Sequence, residues 1–158
     1  MKTLLFSTAV LLILAAQTLA SGTHGGGHAD KASVGVPGNA AHIDRTIAVK
    51  MMETDDGQML FEPRTLKFRK GETVKLVITN AGEQEHEFVL DTSEKNVAHK
   101  AMMEEMGDME HDDPNAIRLE PGAEGEIVWT FSNTGTFEYA CLMLGHYEAG
   151  MHGPVAVN

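Results

Sequence analysis

Cys141, His146 and Met151 fall in one short stretch, YACLMLGHYEAGMHG, at the spacing Cys-x4-His-x4-Met. A thiolate, an imidazole and a thioether make a soft, mixed sulfur and nitrogen ligand set, which suits copper better than any hard cation. One further histidine would complete a trigonal His2Cys site with a weak axial Met, the arrangement of a blue-copper centre. His86 is the best candidate. In EHEFVLD, His86, Phe88 and Leu90 share one parity, so a strand there turns all three to one apolar face. Phe137, Tyr139 and Cys141 share parity in GTFEYAC in the same way, which places the thiol at the inward end of a strand. Each residue alone has a plainer role: a lone Cys is usually a small buried hydrophobe, a lone His a hydrogen-bonded core residue, and Met a filler of core gaps. The four together, at this spacing, outweigh those readings.

The elements that must hold these residues read as strands. RTIAVKM, QMLFEPRTLKFRKG and ETVKLVITN alternate or run apolar in short pieces, bounded by Asp-Gly and Lys-Gly turn signals. LEPGAEGEIVWTF places a Pro121-Gly122 turn before a strand whose Ile127, Trp129 and Phe131 face one way, and GPVAVN closes the chain as a last strand. Strands of this length, with turns every ten residues or so, predict an all-β sandwich or barrel over residues 42–158. The ligand stretch then forms the tip of its last hairpin, where Gly145 and Gly150 allow tight turning.

Residues 92–113 break the strand rhythm. Thr92 or Ser93 is a plausible N-cap, Glu94 sits favourably in a first turn, and Pro114 forbids continuation. Counting from His99, Met102, Met103, Met106 and Met109 follow at offsets of three, four, seven and ten, one side of a helix, with His111 beyond. An amphipathic insertion packing Met on the sandwich is the plain reading. The stripe holds no Leu, Ile or Phe, however, and thioethers without aliphatic backing suit Cu(I), so a second copper site or a copper-collecting surface is expected here.

The order NAGEQEHEF, LEPGAEGEIVWTF, GTFEYACLMLGHYEAGMHG resembles the cupredoxins, the plastocyanin, azurin and rusticyanin family of small copper proteins, over roughly Ile43 to Asn158. The resemblance implies a Greek-key β-sandwich carrying the Met-rich helical insertion. It further implies that His86 and His146 give imidazole nitrogens, Cys141 the thiolate and Met151 the axial sulfur of a type 1 copper centre. The two four-residue gaps of the ligand stretch are more like the rusticyanin loop than the shorter plastocyanin one. Two departures stand out. Glu87 occupies the place after the first histidine where Asn or Ser is common, and Leu144 the place before Gly-His where Pro is common. Enrichment in His and Met narrows the resemblance to the periplasmic copper-tolerance cupredoxins of the CopI type.

Residues 1–20, with Lys2, an apolar run from Leu4 to Ala16, and Thr18 and Ala20 in the minus-three and minus-one places, read as a secretory signal peptide rather than a spanning helix. The mature protein is expected to begin at Ser21 in the periplasm. No Cys follows the cleavage point, so no lipid or membrane anchor is expected. Residues 21–41 lack hydrophobic period and read as a flexible arm carrying His24 and His28, with His42 at its end; short His-bearing tracts can collect Cu(II) or zinc, and a solvated linker with incidental histidines is the plainer alternative. The chain length suits one domain after removal of the signal, and hardly two.

Charge and cysteine content exclude much else. A formal charge of −11 argues against nucleic acid and anionic membranes, which select Lys and Arg clusters. A single Cys in an exported chain cannot pair internally and must be protected by burial or a metal. It also excludes a binuclear copper centre with two bridging thiolates, and Cys/His2 with a thioether is not a usual zinc set. Enzymatic activity is not expected: multicopper oxidases need His-x-His pairs, which the sequence lacks, and a nucleophilic Cys141 would leave Met151 without a role. Two functions remain. One is copper tolerance by binding, passing on or redox-cycling copper, with a copper-export protein as a partner. The other is one-electron transfer to a redox partner, for which the four core ligands suffice.

Overall fold

The structure is a computed structural model and describes residues 34–106 and 113–158. Among them run β1 (Val36–Pro37), β2 (Arg45–Glu53), β3 (Met59–Glu62), β4 (Leu66–Phe68), β5 (Thr73–Asn80), β6 (His86–Asp91), α1 (Ser93–Met106), β7 (Ala116–Leu119), β8 (Glu124–Thr130), β9 (Gly135–Ala140) and β10 (His152–Val157). They form two five-stranded sheets, in the orders β1-β8-β5-β2-β3 and β4-β10-β9-β6-β7. Of the sandwich or barrel that the alternation allows, the sandwich forms, as the resemblance to the cupredoxins implies for a Greek-key fold.

Side-chain period decides which faces meet. In β5 every second residue, Val74, Leu76, Ile78 and Asn80, is buried, as a strand with one face on the core requires. Its neighbours supply Val49 and Met51 from β2 and Ile127 and Trp129 from β8. The opposite sheet contributes Phe88 and Leu90 from β6, Phe137 and Tyr139 from β9, and Val155 and Val157 from β10. Phe61 stands edge-on to both Phe88 and Tyr139, at 5.8 and 4.9 Å between ring centroids. Each such buried side chain contributes roughly 1.5–3 kcal/mol relative to exposure.

QMLFEPRTLKF crosses between the sheets. Met51 pairs with Phe61 in the first, whereas Leu66 pairs in parallel with Val155 in the second. Pro63 lacks an N–H to continue the ladder, and the buried Tyr139 hydroxyl donates to its carbonyl at 2.8 Å, pinning the crossover.

The expected arm over residues 21–41 does not extend to 41. Val34 is fully buried in the core and Val36–Pro37 pair with β8. Periodicity gave no sign of this, because so short an edge strand contains no repeat to detect.

β6 and β9 are buried on both faces. Their outer residues Val89 and Ala140, with Leu142, form a second, smaller cluster, and α1 packs against both strands. The helix is capped as expected by Thr92, whose Oγ1 accepts the Lys95 N–H at 3.2 Å. Ser93 Oγ and Asn96 Nδ2 both donate to Glu138 on β9, at 3.4 and 3.1 Å. The helix α1 is therefore a layer laid on the second sheet.

Candidate metal centre

Strand register gathers the site at one end of the sandwich. His86 opens β6, Cys141 follows β9 directly, and Met151 immediately precedes β10. β6 and β9 align through Val89 and Ala140, and β9 and β10 through Ala140 and His152. Cys141 and Met151 therefore stand opposite one another, and the Cys141 N–H donates to the Met151 carbonyl at 2.9 Å. The intervening loop is closed by its own backbone: the His146 N–H reaches Met143 O, and the Met151 N–H reaches His146 O. Gly145 and Gly150 take φ of +82° and +99°, which residues with a Cβ rarely adopt. The loop is also tied to the first sheet, where the Met59 N–H donates to Ala149 O at 3.1 Å.

The result brings three donors together. One ligand atom from each of His86, Cys141 and His146 lies within 4.8 Å of the others, and all three residues are buried. The two Nδ1 atoms are 3.2 Å apart, and His146 Nδ1 is 3.4 Å from Cys141 Sγ. Two nitrogens at ~2.0 Å and a sulfur at ~2.3 Å from one tetrahedral metal stand about 3.3 and 3.5 Å apart. The donor set and its spacing fit a soft metal ion. Met151 is fully buried in the same core cluster as Cys141.

Burial favours the neutral forms of Cys141 and His86 until metal arrives. Burial pushes the Cys141 thiol up to about 12, against the opposing amides of Glu87 and Met143. The Glu87 N–H donates to Cys141 Sγ at 3.3 Å, so the backbone at this position serves the sulfur although its side chain departs from the usual type. Burial also lowers the His86 pKa, with the nearby Glu53 carboxylate pulling the other way. A neutral imidazole is the form that binds metal, and a thiol must release its proton to do so.

One neighbour was absent from the sequence reading. Glu53 Oε1 lies 3.0 Å from His86 Nε2, on the side of the ring away from the other donors. The available signal was parity: Glu53 continues the inward series Val49 and Met51 at the end of β2, a charged residue on a core-facing row. A second group also went unread. Tyr147 of the ligand loop donates to Glu138 at 3.1 Å and stacks on His152, while Lys100 of α1 pairs with Glu148.

The additional copper candidates are scattered or lie elsewhere. His42 is exposed, His99 half-buried, Met102 exposed and Met103 buried. Met106 ends α1, and His24, His28, Met109 and His111 lie outside the described residues. Among the described residues, no second group of three His, Cys, Asp or Glu side chains converges as the first does.

Residues 48–158 match the family of copper-binding proteins described as plastocyanin/azurin. The chain belongs to this family. Within it, the copper-resistant cuproprotein CopI of Rubrivivax gelatinosus is 47% identical over 160 residues, spanning 98% of this chain and 94% of that protein. The copper-resistant cuproprotein CopI of Pseudomonas aeruginosa is 32% identical, over 93% of this chain and 91% of its own. This cupredoxin is thus of the CopI type. Its fold is similar to the dithionite-reduced auracyanin of Roseiflexus castenholzii, with a TM-score of 0.62 at 22% identity, covering 74% of this chain and 99% of that one. Copper is accordingly the metal of the centre, and His86, Cys141 and His146 are compatible with holding it.

Proposed function

We propose that this cupredoxin acts in copper tolerance in the periplasm, where His86, Cys141, His146 and Met151 would hold copper in a type 1 centre able to exchange one electron with a redox partner. The observation that carries the reading is similarity along nearly the whole of both chains to proteins named for copper resistance. A carrier of electrons alone would need only the sandwich and its four ligands. Here the chain also devotes a helix, α1, to the outer face of the ligand-bearing sheet, with Met102 exposed on it. The copper supplies one-electron chemistry when bound. The protein's part is to present two imidazoles and a sulfur already gathered, to exclude water around them, and to give up the Cys141 proton on binding. The centre works as a binding and redox site, and the chain is not an enzyme.

The runner-up is mobile one-electron transfer to a redox partner, favoured by the preformed donor spacing. A site that needs little rearrangement between oxidation states exchanges electrons readily. Titrating the metal-free mature protein with Cu(II) while following visible absorption and counting bound copper separates the two. Copper tolerance expects several equivalents, only the first strongly coloured. One coloured equivalent and nothing further favours the electron carrier. No intense band at all overturns the Cys141 assignment and both readings with it.

A further inference from the structure

Glu53 is built into the centre from three directions. Its Oε1 sits 3.0 Å from His86 Nε2 and accepts the Gln84 N–H at 3.0 Å, while Oε2 accepts the Glu83 N–H at 2.9 Å. A Cβ on Gly82 would fall 2.2 Å from Oε2, so the absence of a side chain at that position is what lets the carboxylate seat. The His86 side chain is fully buried and that of Glu53 18% exposed, so water competes weakly for the contact. A carboxylate only accepts here, so His86 Nε2 must carry the hydrogen, which leaves the Nδ1 lone pair turned toward His146 and Cys141.

We propose that Glu53 is a positioning residue of the copper centre, whose carboxylate locks His86 with Nδ1 facing the metal and raises that nitrogen's donor strength, favouring Cu(II) over Cu(I). This rests on the copper-binding reading of His86. The physical cause is twofold. A hydrogen bond from the far ring nitrogen to an anion makes the ligating nitrogen more basic, and a nearby fixed negative charge stabilises the more highly charged ion. The same carboxylate holds residues 83 and 84, so the turn entering β6 and the ligand that opens it are set by one group.

The test compares Glu53→Gln with Gly82→Ala. The first keeps the shape and removes the charge. The second keeps the charge and displaces it. Both should retain the intense colour, which comes from Cys141, while Cu(II) affinity falls about 10- to 100-fold with Cu(I) affinity less affected. A tenfold loss confined to Cu(II) reads as a reduction potential about 59 mV higher. Wild-type potential in a folded variant of either kind overturns the proposal, even if thermal stability drops, since a merely structural contact would lower stability alone. Nitrogen NMR of the metal-free wild-type protein decides the matter without any variant: His86 should carry its hydrogen on Nε2, and a hydrogen on Nδ1 overturns the assignment. Failure of the copper reading shows itself differently, as a wild-type protein that never becomes coloured while the Nε2 tautomer persists.

Discussion

The buried thiol makes the metal-free protein sensitive to alkali. Folded, Cys141 holds its proton up to about pH 12, whereas an unfolded thiol releases it near 9.0. Above pH 9 the unfolded chain therefore binds fewer protons than the folded one, and stability falls as pH rises. Between these two values the loss at pH 10 is RT ln(1 + 10) for the unfolded thiol with almost nothing to offset it in the folded state, about 1.4 kcal/mol. Tyr139 acts in the same direction, since burial raises its hydroxyl as well. Comparison with Cys141→Ala separates the two, because the variant keeps Tyr139. The assay is urea unfolding of both metal-free proteins at pH 7 and pH 10. Wild type should lose about 1.4 kcal/mol more than the variant over that interval. Copper-loaded wild type should not show this extra loss, because metal binding has already removed the proton. Parallel losses in wild type and Cys141→Ala would refute the reasoning, by showing that the folded thiol ionises as freely as an exposed one.

Four further outcomes follow from residue roles. Cys141→Ala should abolish the intense visible band, while Met151→Leu should leave a coloured centre with a shifted potential; a colourless Met151→Leu protein would remove Met151 from its axial, weak role. Asn80→Ala should destabilise by about 3 kcal/mol in denaturant unfolding, because Asn80 Nδ2 serves Gln84 O and Leu119 O, and its Oδ1 accepts the Gly82 N–H. A loss below about 1 kcal/mol would show that this turn before His86 holds itself. Replacing Met102, Met103, Met106 and Met109 together by Leu, which conserves volume at the buried Met103, should lower Cu(I) capacity and spare the colour. Unchanged capacity would reduce the stripe to packing.

The sequence by itself determined the sandwich and three converging donors. Parity placed His86 with Phe88 and Leu90, and Cys141 with Phe137 and Tyr139, and the structure buries all six. This was legible because a strand's period of two assigns faces locally, and because the ligand stretch carries its own spacing between Cys141 and His146. The N-cap at Thr92 was local in the same sense. Tertiary structure alone decided what meets across long separations. Glu53 reaches His86 from 33 residues away through the parallel pairing of β2 with β5 and the turn that follows β5. Glu138 joins α1 to the ligand loop because β9 is covered on its outer face, which alternation cannot reveal when both faces are buried. Val34 enters the core from a segment with no period at all. Local pattern fixes the direction in which a side chain leaves its strand; only the packing of two sheets fixes which side chain waits on the other side.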